Sequence, residues 1–134
     1  MSLVASDELL VPLQTEFFAL EGITQLVKTI DRIKEILTSS KRERFLKKIF
    51  SHNEIKEAQS RQNEAQFFSG RFAAKEAIRK ATSTPHHPSK LTFKSIEIFN
   101  YASGKPGVNL NNDSVVDISI SHDGNYAVAF CVVQ

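Results

Sequence analysis

Phe72, Glu76 and Lys80 recur at every fourth position of the run Phe67-Phe68-Ser69-Gly70-Arg71-Phe72-Ala73-Ala74-Lys75-Glu76-Ala77-Ile78-Arg79-Lys80-Ala81. On a helix that spacing stacks a carboxylate and an ammonium on one face above an aromatic ring. Arg71, Lys75 and Arg79 form a second, wholly basic row beside it. The plain chemistry of such a surface is charge pairing, and a solvated Glu-to-Lys pair contributes about 0.2–0.5 kcal/mol. A second group, Asp31, Arg32, Lys34, Lys41, Arg42, Arg44, Lys47 and Lys48, is mostly basic. It reads either as a solvated face or as a docking patch, because unpaired cations on one face speed encounter with an acidic protein. His122 and Asp123 close the alternating run Ile118-Ser119-Ile120-Ser121, where a histidine either caps a turn or serves a site.

The elements that must position these groups follow from local pattern. Residues 67–81 contain no Pro, one Gly near the start and apolar side chains at 68, 72, 73 and 77, which predicts a helix. Phe17, Leu20, Ile23, Leu26, Val27, Ile30, Ile33 and Leu37 keep a 3.6-residue period, which predicts an amphipathic helix over 17–37, divisible at Gly22. Ser51-His52-Asn53-Glu54 has the form of a capping box and starts a helix near residue 52. The polar run 58–65 predicts a break before the central helix, and the prolines at 85 and 88 mark 82–89 as a loop. His86 and His87, adjacent in that loop, are expected to point apart into solvent. From Leu91 onward the chain is strand-like: Leu91-Thr92-Phe93, then Ile96-Glu97-Ile98-Phe99, a turn at 103–107, Val108-Asn109-Leu110, and Val116, Ile118 and Ile120 alternating with polar residues. Asp123-Gly124 predicts a hairpin leading into Tyr126-Ala127-Val128-Ala129-Phe130-Cys131-Val132. Helices early and an antiparallel sheet late make an α+β fold.

Composition narrows the classes. A chain of 134 residues suits one domain with a modest core. A formal charge of +2 is too small for a nucleic-acid protein. Cys131 is the only cysteine and sits in an apolar run, so it reads as a core residue in a reducing compartment rather than as a nucleophile. No apolar run approaches membrane-spanning length, and residues 1–8 carry two acids and no base, unlike a secretory or mitochondrial leader. The expectation is a cytoplasmic protein, with the mitochondrial matrix as the alternative.

Three stretches occur in a telling order: Gly70-Arg71-Phe72-Ala73-Ala74-Lys75-Glu76-Ala77 with Lys80 four residues after Glu76, then Gly104-Lys105-Pro106, then Ile118-Ser119-Ile120-Ser121-His122-Asp123. From about residue 32 to its end the chain thereby resembles the holo-[acyl carrier protein] synthase group of 4'-phosphopantetheinyl transferases. The resemblance implies one domain over 1–134 with a divergent segment at 1–21, assembled as a trimer with sites between subunits. It implies transfer of the 4'-phosphopantetheine arm of coenzyme A to a serine of apo acyl carrier protein, with magnesium, releasing 3',5'-ADP. Such a reaction needs cations around the pyrophosphate, a metal bridging its oxygens, and help in deprotonating the serine.

Carried over residue by residue, Glu76 is implied as metal ligand and aid to the base, and Lys80 as a point charge on the pyrophosphate. Arg71 and His122, with Asp123 beside them, are implied to hold the adenosine end, and Lys105 and Pro106 to line the nucleotide side. Lys75 reads equally as a structural ion-pair partner or as a direct substrate contact. Arg32 matches a family arginine that holds the acidic carrier protein, with Lys41 and Arg44 beside it. Two departures stand out. Gln25 falls where the family strand carries a metal-binding Asp, if one residue is inserted before Ile30. The amide offers an oxygen without charge, so the metal site is weakened, completed by another acid such as Asp7, or absent. Ser83-Thr84-Pro85 replaces a glycine-rich loop. Three readings follow: an active transferase, an impaired relative that binds coenzyme A or carrier protein without turnover, and an unrelated small basic domain.

Overall fold

The structure, a computed structural model, describes residues 23–112 and 114–134. It opens with strand β1 (Ile23–Thr29), followed by helices α1 (Ile30–Leu37), α2 (Arg42–Ile49), α3 (His52–Ala58) and α4 (Glu64–Ala81). Strands β2 (Glu97–Asn100), β3 (Pro106–Asn109), β4 (Val116–Asp123) and β5 (Tyr126–Val133) complete the chain. The sheets are antiparallel: a three-stranded one in the order β1-β5-β4 and a two-stranded one of β2 and β3. The α+β expectation is met, with one change: an early strand joins the late sheet.

That strand corrects the helix predicted over 17–37. Only 30–37 is helical, 23–29 is extended, and 17–22 lie outside the described residues. Apolar residues at 23, 26, 27 and 30 keep the helical period, and pairing overrides it. Every residue of β1 finds a partner on β5, from Ile23 with Val132 to Thr29 with Tyr126. The following helix is capped from the same neighbourhood. The N–H groups of Ile30 and Asp31 donate to the carbonyl oxygen and side-chain oxygen of Asn125, at 2.7 and 2.8 Å.

Alanines let α4 lie close across β5 and β1. Ala73, Ala74 and Ala77 are fully buried, with Leu26, Ile78, Ile96, Ile98, Ile118, Ala129 and Cys131 around them. Gly70 serves the same approach, since a Cβ there would stand 2.8 Å from the Ile120 methyl carbon Cγ2. A second core joins α1, α2 and the start of α4 through Ile33, Leu37, Leu46, Phe50 and Phe68.

The capping box at Ser51 forms in full: Ser51 Oγ accepts from the Glu54 N–H at 3.2 Å, and Glu54 Oε1 accepts from the Ser51 N–H at 2.9 Å. The hairpin turns at Gly124-Asn125, one residue later than Asp123-Gly124, since Asp123 still pairs with Tyr126. Gly124 takes φ +58 and Asn125 no positive φ, the form of a type II' turn. Leu91-Thr92-Phe93 is not a strand. The chain turns there, with the Ser95 and Ile96 N–H groups donating to the Thr92 and Phe93 carbonyls.

Candidate functional site

The residues singled out by sequence fall into three surface clefts. The first, about 500 Å³, lies where the start of α4, the end of β4 and the β2–β3 turn meet. Arg71, Pro106 and His122 line it together, with Arg61, Gln66, Phe67, Asn100 and Gly104. His122 shares the β4 face of Ile118 and Ile120, one step beyond the core, so it is exposed at the cleft rim. Its Nε2 lies 2.5 Å from the Gln66 side-chain amide. Asp123 has the opposite parity and Lys105 points to solvent, and neither lines this cleft.

Arg71 departs from the solvated basic row. It is only 5% exposed, donates to Glu57 and Asn100 at 3.2 and 3.0 Å, and lies 4.3 Å above the Phe67 ring. Burial pushes its guanidinium below the usual value, opposed by Glu57 and Glu54. Its Nε is buried without a hydrogen-bond partner. Arg61, exposed and 5.2 Å from the Phe67 ring centre, shares the Glu57 carboxylate. Sequence reading passed over Arg61, Gln66 and Asn100. Their signal was weak, since lone polar residues at element ends are usually only solvated.

Lys75 departs further. Fully buried, its ammonium donates to Glu54 Oε1 at 2.6 Å, to the Ile49 carbonyl at 2.8 Å and to the Phe93 carbonyl at 3.0 Å. All three donors are used, so Lys75 is structural. Burial lowers its pKa from the usual value, and Glu54 opposes that shift.

The second cleft lies at the other end of α4, between Glu76, Arg79, Lys80 and the loop of Ser83, Pro85 and His86. Lys80 is exposed, as are His86 and His87. Arg79 is held by the Leu91 carbonyl at 2.9 Å and lies 4.4 Å from the Phe93 ring centre. The Glu76 to Lys80 pair is not formed. Glu76 reaches instead to β1, where Lys28 Nζ stands 2.5 Å from its Oε1 and 4.7 Å above the Phe72 ring. Oε1 is buried and makes no hydrogen bond, its contact with Lys28 being an ion pair alone. Lys28 was not among the expected site residues, because nothing local ties a strand lysine to a distant glutamate.

Strand parity separates Gln25 from Glu76. Thr24, Leu26 and Lys28 share the face toward α4, and Gln25 points to the other. Among the described residues no three of His, Cys, Asp and Glu gather as a metal-binding group, and Asp7 lies outside them. One carboxylate already held by an ammonium does not fit magnesium, which wants several hard oxygens.

The third cleft gathers the expected docking residues. Arg32, Lys41, Arg44 and Lys48, all exposed, surround Ile36 and Phe45, with Glu35 as the one acid. None of the four cations makes an ion pair among the described residues. No helix of the described residues is long and apolar enough to cross a membrane.

Comparison with known proteins follows the same lines. The family model of the 4'-phosphopantetheinyl transferase superfamily matches residues 27–131. A model described as an AAA domain matches residues 1–43, under half of the chain. The holo-[acyl-carrier-protein] synthase of Thermodesulfovibrio yellowstonii is 38% identical over 115 residues, which are 85% of this chain and 98% of that protein. The crystal structure of a holo-(acyl-carrier-protein) synthase from Bacillus anthracis in complex with CoA (3',5'-ADP) is similar at TM-score 0.72 and 32% identity, over 84% of this chain and 95% of that one. The Helicobacter pylori holo-[acyl-carrier-protein] synthase in complex with coenzyme A is similar at TM-score 0.71 and 27% identity, over 84% and 99%.

Proposed function

Because the chain belongs to the 4'-phosphopantetheinyl transferase superfamily, we propose that it transfers the 4'-phosphopantetheine group from coenzyme A to a serine of apo acyl carrier protein, giving the holo form and 3',5'-ADP. The observation that carries this reading is the match over 98% of the Thermodesulfovibrio enzyme, with α4, the β2–β3 turn and the His122 strand end all inside the matched region. An impaired relative that binds without turnover is not favoured, since the Glu76 and Lys80 helix is intact.

In the reaction the carrier serine oxygen attacks the β-phosphorus of coenzyme A. The new P–O bond forms as the bond from that phosphorus to the bridging oxygen breaks, and 3',5'-ADP leaves with the bonding pair. Lys80 meets the pyrophosphate as a point charge, and Glu76 accepts the serine proton directly or through a water. Arg71, Arg61 and His122 form the cationic pocket for the adenosine end, with Pro106 as its wall and Lys105 and Asp123 at its margin. No step is assigned to magnesium, which the donor set at Glu76 does not fit.

Lys80 comes nine positions after Arg71, so they leave α4 on opposite sides, about 13 Å apart along its axis. That division supports a homotrimer in which one subunit's first cleft faces its neighbour's second. The cations of the third cleft are the docking surface for acyl carrier protein, which is an acidic partner by this reading. The buried single thiol suits a cytoplasmic location. The test is mass spectrometry of apo acyl carrier protein incubated with this protein and coenzyme A. A gain of the phosphopantetheine arm is expected, and coenzyme A binding without any gain would favour the non-catalytic alternative.

A further inference from the structure

We propose that the Lys28 ammonium stands in the place of a divalent cation at Glu76, so that this chain binds the pyrophosphate of coenzyme A without a metal. The inference rests on the transferase reading of the second cleft. Three observations carry it. Lys28 lies on the β1 face toward α4, the face from which a metal-binding acid would have to reach Glu76. Its ammonium is 2.5 Å from Glu76 Oε1, and the side chains are 29% and 25% exposed, so the pair is partly shielded from water. The Phe72 ring backs the cation at 4.7 Å, which anchors it without neutralising it.

A magnesium ion needs its oxygens at about 2.0–2.1 Å in near-octahedral order. The Glu76 oxygen that would serve is occupied, and removing its neighbour means displacing an ammonium from both a carboxylate and an aromatic face. Lys28 in turn has three N–H donors, and its contact with Glu76 is an ion pair rather than a hydrogen bond. Those donors can meet phosphoryl oxygens as charge-assisted hydrogen bonds. Glu76 lines the cleft with Arg79 and Lys80, and Lys28 adjoins it through its pair with Glu76, so a polyanion entering there meets protein cations.

The experiment is calorimetric titration of coenzyme A into the protein in chelator and in magnesium, with transfer followed in parallel. Dissociation constants equal within about twofold are expected, and a loss of about tenfold or more in chelator overturns the proposal. Lys28→Met should lose about tenfold in chelator and recover with magnesium, whereas Lys28→Arg should stay metal-independent. Circular dichroism checks that both variants fold. A Lys28→Met protein that folds and binds like the parent in chelator also overturns it. Equal binding in both buffers with transfer in neither would uphold Lys28 and reject the transferase reading; binding in neither buffer would reject Lys28.

Discussion

The Lys75 ammonium and the Glu54 carboxylate lie 2.6 Å apart with both side chains closed to solvent, and between them they tie five parts of the chain. Lys75 holds the end of α2 and the turn at Phe93, while Glu54 closes the cap of α3 and accepts the Ile98 N–H at the edge of β2. Removing one partner of a buried pair leaves the other uncompensated, which costs about 3–5 kcal/mol. Glu54→Gln is expected to lower the unfolding free energy by about 3 kcal/mol in urea denaturation. An unchanged midpoint would show that the pair is dispensable.

Cys131 gives a pH dependence of definite sign. Burial pushes its thiol up from 9.0 to about 12. The folded state therefore keeps the proton that the unfolded state gives up, so this group's contribution is intact below pH 9 and declines between pH 9 and 12, by up to about 1.4 kcal/mol per pH unit. The lowered Lys75 pKa acts oppositely, stability rising with pH as the unfolded ammonium remains charged. The difference between the parent and Cys131→Val isolates the thiol. A difference that stays flat from pH 8 to 11 would contradict the buried thiol.

His122 sits at the rim of the first cleft with its ring against Gln66. If it meets the 3'-phosphate of coenzyme A, His122→Ala should raise KM for coenzyme A by about tenfold while altering kcat far less. Dephospho-coenzyme A, which lacks that phosphate, should show no change between parent and variant. An equal loss with both substrates would assign His122 to the fold instead.

Arg32 and Arg44 stand on the third cleft beside Phe45, away from Glu76 and His122. Arg32→Glu with Arg44→Glu should raise KM for acyl carrier protein by about tenfold or more and weaken its salt dependence. Coenzyme A affinity, measured by calorimetry, should not move. A parallel loss of both affinities would count against docking at this surface.

Much of this was already present in local residue pattern. The capping box at Ser51, the helix around Glu76, the break before it, the hairpin after His122 and the buried Cys131 each depend on neighbours a few residues away, so the sequence by itself determined them. The family motifs likewise lie in single short runs.

Tertiary structure decided what depends on partners from elsewhere in the chain. Residues 23–29 fit a helix by period and became a strand because β5 offered unpaired backbone groups along its whole length. Local pattern leaves Arg71 in a basic row and Lys75 open between ion-pair partner and substrate contact, yet Glu57 and Asn100 gather on Arg71, and Glu54 with two main-chain carbonyls on Lys75, leaving only Arg71 Nε without a partner. Glu76 had a lysine four residues away and took Lys28 instead, because strand parity brings that ammonium over Phe72. A short-range pattern states what a side chain can do; which charge it meets is settled by the elements that pack against it.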